Sequence, residues 1–227
     1  MISELLKDAG YRTYTVGKWH LGGAGHGGES PVEWGFDRSY GIYTGGANHW
    51  NQGVFHLDVH DPEVAAKLKE GKNPGVPDEP YYEDGKPAKR PAGVFSDDLF
   101  TAKMMQYLAE GEKTGKPFFA YMAYTTPHAP LQAPDFLIDK YIPYYLEKGY
   151  AGLKKARFEA QKANGIIDKN APYPGYDNPL TESWDKLSDE QKYREAKMMA
   201  TYSAMMESQD YHLGMLLNYL RETGQYD

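Results

Sequence analysis

The 227-residue chain contains no cysteine, so disulfide bonds, thiolate zinc sites and thiol catalysis are excluded within these residues. It also lacks a run of about 18 consecutive apolar residues, which a membrane-spanning helix requires. Its first residues, M-I-S-E-L-L-K-D-A-G, lack the basic start and the long apolar stretch that are typical of a secretion signal. They predict instead a short helix that ends at Gly10.

Basic residues are outnumbered by acidic ones, with a formal net charge of -7 and an isoelectric point near 5.5. The lysines and arginines are scattered along the chain. Because no basic stripe is available to neutralise phosphates, the composition argues against nucleic-acid binding. Hydrophobic residues make up 41% and charged residues 25% of the chain, proportions that are ordinary for a globular domain with a core.

The most informative segment is G-Y-R-T-Y-T-V-G-K-W-H at residues 10–20. Residues 11–16 are β-prone and predict a strand that leads into Gly17, where the backbone can approach a ligand closely. In an extended chain, residues two apart point to the same side, so Lys18 and His20 could reach one small anion together. A lone lysine and histidine at this spacing are more often a surface charge and a hydrogen-bonded side chain, so the surrounding pattern decides the interpretation.

A second segment, P-F-F-A-Y-M-A-Y-T-T-P-H-A-P at residues 117–130, begins with an almost continuous apolar run. Residues 117–124 predict a strand buried on both faces of a sheet. His128 follows its carboxyl end, which is where open α/β sheets bind their ligands. The alternative is a turn histidine fixed between two prolines. Before this strand, Ser96 is predicted to cap a helix with one buried face, formed by Leu99, Met104, Tyr107 and Leu108.

Two regions are predicted to be surface excursions, at about 56–91 and 135–187, because both are rich in turn-forming and charged residues. In the first, His56 and His60 flank Asp58, but the lack of a third ligand favours a solvated loop over a metal site. Ser188 and Gln191 predict a capping box that opens the longest helix, which ends near residue 223. Its apolar stripe is predicted to include Met206, Leu213, Leu216 and Leu217, with His212 on the polar side.

These segments resemble motifs of the sulfatases. Residues 10–20 are close to a sulfatase signature, and residues 117–130 are similar to the family segment that carries a catalytic histidine. The segment W-G-F-D-R-S-Y-G at 34–41 resembles a largely structural family motif, in which Asp37 and Arg38 are expected to form an internal ion pair. W-D-K-L-S-D-E-Q at 184–191 resembles a turn of the bacterial arylsulfatases.

The resemblance implies an α/β fold of the sulfatase and alkaline-phosphatase type, with a mixed, largely parallel central sheet flanked by helices and incomplete in this chain. Residues 1–227 are then an internal part of a single catalytic domain. The family nucleophile is a formylglycine made from the first residue of a C/S-x-P-S-R motif, and no segment here matches that motif. The nucleophile and the ligands of a calcium or magnesium ion are expected before Met1 and after Asp227, so that this chain alone binds no cofactor and is inactive.

By the same resemblance, Lys18 would hold a sulfate oxygen together with the oxygen of the nucleophile. His20 would contact the formylglycine diol, and His128 would bind the ester and protonate the leaving oxygen. The expected substrate is a small-molecule or glycan sulfate ester, and the expected location is the periplasm or the outside of the cell. Two alternatives remain open: a phosphonate monoester or phosphodiester hydrolase of the same superfamily, and a non-catalytic relative that binds sulfated glycans.

Overall fold

A computed structural model describes most of the chain, namely residues 1–22, 29–50, 62, 66–67, 70, 81–91, 93–179 and 182–226. The chain divides into two compact units. The first unit comprises residues 1–132 and 205–227, and the second comprises residues 133–204. Among the helices described, none combines the length and the apolar content that crossing a membrane requires.

The described residues form one sheet and four α-helices. The strands are β1 (Arg12–Lys18), β2 (Arg38–Ile42), β3 (Tyr81–Glu83), β4 (Lys86–Ala88) and β5 (Phe118–Ala123). The helices are α1 (Ile2–Asp8), α2 (Ser96–Glu112), α3 (Asp135–Ala163) and α4 (Asp189–Glu222).

The sheet has the strand order β4-β3-β2-β1-β5. β1 pairs in parallel with both β2 and β5, whereas β3 pairs with β2 and β4 in the antiparallel sense. This arrangement confirms the predicted mixed sheet with a parallel centre. The two segments predicted as strands near the lysine and the histidine motifs run side by side in the same direction.

Helix α2 packs on this sheet through the face that the sequence predicts. Leu99, Met104, Tyr107 and Leu108 are all buried in a cluster with residues of β1 and β2. The predicted cap is wrong by one residue, because Phe95 is the N-cap and Ser96 is the first helical residue. The Ser96 hydroxyl lies 2.9 Å from a ring nitrogen of His49 rather than capping the helix.

Part of the predicted excursion at 56–91 belongs to the sheet, which corrects that prediction. Residues 81–88 form the β3–β4 hairpin, and the Tyr81 side chain is buried. Asp84 and Gly85 have φ values of 51° and 81°, so the hairpin turns through two residues with positive φ, as tight hairpins favour. The possible metal ligands His56, Asp58 and His60 lie outside the described residues.

The first half of the second predicted excursion is the 29-residue helix α3. The turn-forming residues that suggested an irregular segment are accommodated by a break inside this helix at Gly149, where φ is 54° and ψ is -172°. A Cβ atom at Gly149 would lie 2.8 Å from the Trp184 ring, so the indole occupies the space left by the missing side chain. Glycine is required there for both its conformation and its size.

Helix α4 begins as predicted, since Ser188 and Gln191 exchange hydrogen bonds between side chain and backbone. Its predicted stripe is partly wrong: Leu216 is buried, but Met206 and Leu213 are 44% and 43% exposed. His212 is buried instead, with Nε2 lying 2.8 Å from Asp98 Oδ1. Methionine and leucine occur all around this helix, so their spacing alone does not select the buried face.

The predicted ion pair between Asp37 and Arg38 is replaced by two separate pairings. The Asp37 carboxylate lies 2.9 Å from Lys7 Nζ and also accepts a hydrogen bond from the Thr13 amide. The Arg38 guanidinium pairs with Asp84 at 2.8 Å, and Glu83 and Glu110 also contact it. Both residues therefore connect neighbouring elements of the fold, in keeping with a structural role.

Candidate functional site

The site residues predicted from the sequence follow the carboxyl ends of β1 and β5. At this edge Gly17 of β1 is in register with Gly41 of β2 on one side and with Ala123 of β5 on the other. A Cβ atom at Gly17 would lie 1.9 Å from the Ala123 carbonyl oxygen, and one at Gly41 would lie 1.7 Å from the Gly17 carbonyl oxygen. The three backbones therefore approach one another where no side chain can intervene.

Lys18 and His20 are held by the buried residue between them. The Trp19 amide donates to the Ile42 carbonyl at 2.9 Å, and its indole N–H donates to the Glu29 carbonyl at 3.1 Å. Lys18 is the last residue of β1 and is half-buried, whereas His20 is exposed.

The structure corrects the prediction that Lys18 and His20 point to the same side of one extended segment. His20 has a φ of 53°, in the left-handed region, so it is not part of an extended segment. The rule that residues two apart point to the same side does not apply to it. Its ring lies beside Gly45 in the loop after β2, where a Cβ atom would lie 3.4 Å from His20 Cε1.

His128 lies in the loop after β5 and is exposed. Its backbone amide donates to the Thr125 carbonyl at 2.9 Å, and its Nδ1 lies 2.7 Å from the Ala129 carbonyl oxygen. A carbonyl oxygen can only accept, so Nδ1 carries the proton of this contact. In the neutral ring, Nε2 is then the unprotonated nitrogen.

The loop that carries His128 is tied to α2 by a buried carboxyl group. The Thr126 hydroxyl donates to Asp97 Oδ1 at 2.8 Å, and the Asp97 side chain is fully buried. Burial raises the pKa of Asp97, and the hydrogen bond from Thr126 opposes this shift. The hydrogen bond fixes the start of the loop just before its histidine.

A second histidine, which the sequence did not indicate, connects two of the loops at this edge. His49, in the loop after β2, is fully buried, and its Nε2 lies 3.0 Å from the carbonyl oxygen of His128. Burial lowers the pKa of His49 to about 4; the hydrogen bond to the His128 carbonyl opposes this shift, and the nearby charges of Arg90 and His128 add to it. His49 is separated from His128 by 79 positions and from Ser96 by 47, so only the folded chain brings these residues together.

The structure thus has Lys18 at the carboxyl end of β1, and His20 and His128 in the loops that follow the paired parallel strands β1 and β5. A primary amine can hold an anion, and an imidazole can exchange protons near neutral pH. In the part of the chain that the structure describes, no three histidine, aspartate or glutamate side chains are grouped so that they could hold a metal ion.

The family model for sulfatases matches residues 1–227. The chain is 35% identical over 230 residues to an uncharacterized sulfatase of Schizosaccharomyces pombe, with 100% of this chain and 38% of the relative covered. It is 33% identical over 224 residues to an arylsulfatase of Klebsiella aerogenes, with 99% and 44% covered. The chain therefore spans less than half the length of either relative.

Solved structures share the fold at lower identity. Ps i-CgsB, solved in complex with k-i-k-neocarrahexaose, matches with a TM-score of 0.57 and 24% identity over 100% of this chain and 37% of its own. BT4656, solved in complex with its substrate D-glucosamine-2-N,6-O-disulfate, matches with a TM-score of 0.54 and 20% identity over 100% and 47%. These likenesses agree with the alkaline-phosphatase-like fold that the family resemblance implied. On the family model and the two sequence relatives, the chain belongs to the sulfatase family.

Proposed function

We propose that the protein to which this chain belongs hydrolyses sulfate monoesters of aryl compounds or carbohydrates, and that Lys18, His20 and His128 act on the substrate. The observation that carries the proposal is the parallel pairing of β1 with β5, whose carboxyl ends are both followed by these residues. Family membership supports the reaction class. The arylsulfatase relative and the disulfated substrate named for BT4656 favour a sulfate ester over other anions.

The proposed chemistry requires a cation for the sulfuryl oxygens and a proton for the departing oxygen. An oxygen nucleophile forms a bond to sulfur while the bond between sulfur and the ester oxygen breaks, and the ester oxygen leaves as an alcohol or phenol after it receives a proton. Lys18 holds a sulfate oxygen as a compact positive charge. In its doubly protonated form, His128 donates the proton through Nε2, because its Nδ1 is engaged with the Ala129 carbonyl.

His20 is proposed to face the attacking group. Its imidazole would take up the proton released when sulfate departs from the enzyme. We propose that the formylglycine nucleophile and a calcium or magnesium ion, which the family resemblance implies, are supplied by sequence outside these 227 residues. The roles assigned to this chain are therefore limited to charge stabilisation and proton transfer, and the chain alone is expected to be inactive.

The test uses a longer protein that includes the chain with its natural flanking sequence, coexpressed with a formylglycine-generating system and supplied with calcium. Turnover of a chromogenic aryl sulfate is compared with that of a matched phosphodiester and a phosphonate monoester. We expect the sulfate to be preferred and Lys18→Ala to abolish most of the turnover. Lys116→Ala is the matched control, since it removes the same charge just before the amino end of β5.

Three results would contradict the proposal. Preference for the phosphonate monoester or the phosphodiester would show that the site hydrolyses those esters and not sulfate esters. Binding of a sulfated glycan without turnover would indicate a non-catalytic protein. Equal activity of the Lys18→Ala and Lys116→Ala proteins would show that the anion binds elsewhere.

A further inference from the structure

His49 makes polar contacts that fix which of its nitrogens carries the proton. Its Nε2 lies 3.0 Å from the His128 carbonyl oxygen, which can only accept a hydrogen bond, so Nε2 is the donor. Burial lowers the pKa of His49 to about 4, which keeps the ring neutral at neutral pH. Nδ1 is then an acceptor, and the Ser96 hydroxyl at 2.9 Å is its donor.

The backbone of His49 is fixed as firmly as its ring. Its amide donates to Gln132 Oε1 at 2.9 Å, and its carbonyl accepts a hydrogen bond from the buried guanidinium of Arg90. The same guanidinium donates to the carbonyls of Asn48 and Val94, at 2.5 and 2.6 Å. The backbone of His49 is therefore held at both its amide and its carbonyl, and this fixes the position from which the ring contacts the loop of His128.

We infer that His49 is a positioning residue, whose neutral Nε2–H tautomer holds the backbone of His128 so that the His128 imidazole faces the substrate. This inference rests on the proposed function for its catalytic consequence, but the structural coupling between the two histidines can be measured without any activity. The hydrogen bond acts on the carbonyl of His128. The His128 side chain remains exposed at the edge of the sheet.

This role differs from that of an ordinary buried histidine in one respect. The carbonyl that His49 binds belongs to the residue that would donate the proton, and the adjacent peptide carries the Ala129 carbonyl that contacts His128 Nδ1. A shift of the 128–129 backbone therefore moves both the ring and the acceptor that sets its tautomer. Misplacement of a catalytic group by about 1 Å can reduce the rate on the order of 100-fold.

Two amide variants separate the contacts of His49. His49→Gln places an N–H donor at the reach of Nε2 and can still bind the His128 carbonyl. His49→Asn places its polar atoms at the reach of Nδ1, so it keeps a partner for Ser96 and loses the bond to His128. Both side chains are uncharged and neither has a ring, which makes each the control for the other.

In the longer, active protein we expect His49→Asn to lower kcat by roughly 10- to 100-fold with little change in KM, and His49→Gln to restore most of the loss. In a His128→Ala background, His49→Asn should have little further effect, because the two residues then act as one unit. Equal losses in the asparagine and glutamine variants, or losses that multiply in the double variant, would overturn the inference.

A spectroscopic measurement decides the coupling even if no sulfate ester is hydrolysed. Long-range ¹H–¹⁵N correlation spectra of the histidine rings report the tautomer and titration of each ring. The wild-type protein should show His49 protonated at Nε2 alone, and the signals of His128 should shift in His49→Asn and return in His49→Gln. A His49 ring protonated at Nδ1, or an unchanged His128 in His49→Asn, would refute the positioning role, whereas a lack of turnover by the wild type would refute only the proposed function.

Discussion

β5 is paired with β1 along its whole length, but the more polar of the two strands, β1, is the more deeply buried. Six of the seven residues of β1 are buried, although its sequence is R-T-Y-T-V-G-K. β5 has the apolar sequence F-F-A-Y-M-A, yet five of its residues are only partly buried and Tyr121 is 49% exposed. In the described sheet, β1 has a partner strand on each side and β5 has one only on the side of β1.

The comparison shows that position in the sheet, and not apolar content, decides burial here. The polar groups of β1 are tolerated because they have partners: the Thr13 hydroxyl donates to the Gly35 carbonyl at 2.7 Å, and the Arg12 guanidinium donates to the Lys116 carbonyl at 2.8 Å. The prediction that β5 is buried on both faces is therefore wrong for the structure of this chain.

The largest expected effects are on the rate of catalysis, and they differ between the residues at the carboxyl ends of the two strands. In the longer protein, His128→Ala, after β5, should lower kcat/KM for sulfate esters with poor leaving groups by about 10²- to 10⁴-fold and affect activated aryl sulfates much less. Only poor leaving groups need the donated proton. Lys18→Ala, at the end of β1, should slow all of these esters, because every substrate carries the sulfuryl charge.

Steady-state rates across a series of aryl and alkyl sulfates provide the measurement for both variants. If His128→Ala slows every ester by the same factor, it is not the proton donor. If the factor by which Lys18→Ala slows hydrolysis depends on the leaving group, the Lys18 charge acts on the departing oxygen and not on the sulfuryl oxygens.

The next largest effect concerns the close approach of β1 to β5. Gly17→Ala should destabilise the fold by about 3–5 kcal/mol, because it combines a φ of 110° with a clash against the Ala123 carbonyl. Gly115→Ala is the matched control, with a φ of 63° but no atom within 4 Å of the added Cβ. It should cost only about 1 kcal/mol. Urea denaturation measures both values, and equal costs would mean that the strands can separate to admit a side chain.

A third prediction concerns the pH dependence of stability that the buried His49 side chain causes. The pKa of His49 is lowered to about 4 in the folded state, so as pH falls through 6.5 the unfolded chain takes up a proton that the folded chain does not. Its contribution to stability is complete above pH 6.5 and is lost as the pH falls from 6.5 toward 4. The loss amounts to about 3 kcal/mol, at 1.36 kcal/mol per pH unit.

Denaturation midpoints measured between pH 7 and pH 4 would detect this slope in the wild-type protein. His49→Gln should flatten it, because glutamine has no proton to gain. A slope that is unchanged in the glutamine variant would assign the acid sensitivity to other groups.

The smallest expected effects are changes in stability caused by one substitution in each of the two strands. Val16→Ala in β1 removes methyl groups from a side chain with 0% exposure and should cost about 2 kcal/mol. Tyr121→Thr in β5 changes an exposed side chain to another residue that favours strands, and should stay within about 0.5 kcal/mol. A large cost for Tyr121→Thr would show that β5 is covered in solution, and the ranking of the two strands would have to be reversed.

The parts of the fold that could be predicted from the sequence depend on local patterns. The strands around Val16 and Ala120, helix α2 and the capping box at Ser188 all follow from spacing and residue type within a few positions. The positions of Lys18 and His128 beside the sheet edge follow from the parallel pairing of their strands.

The parts that could not be predicted depend on contacts between distant residues. The break in α3 at Gly149 could not be predicted, because nothing in the sequence shows that Trp184 fills the space beside this residue. Ser96 looked like a cap because its real partner, His49, is 47 positions away. The left-handed conformation of His20 depends on its surroundings, since only glycine adopts that conformation without cost.

The contact between Trp184 and Gly149 also provides an optical reporter. The other three tryptophans of the chain, at positions 19, 34 and 50, belong to the first compact unit, so Trp184 is the only indole among residues 133–204. With the other three replaced by phenylalanine, its emission would follow the opening of the broken helix α3 alone. The unfolding of this unit could then be timed independently of the sheet, with a fluorophore that the protein already contains.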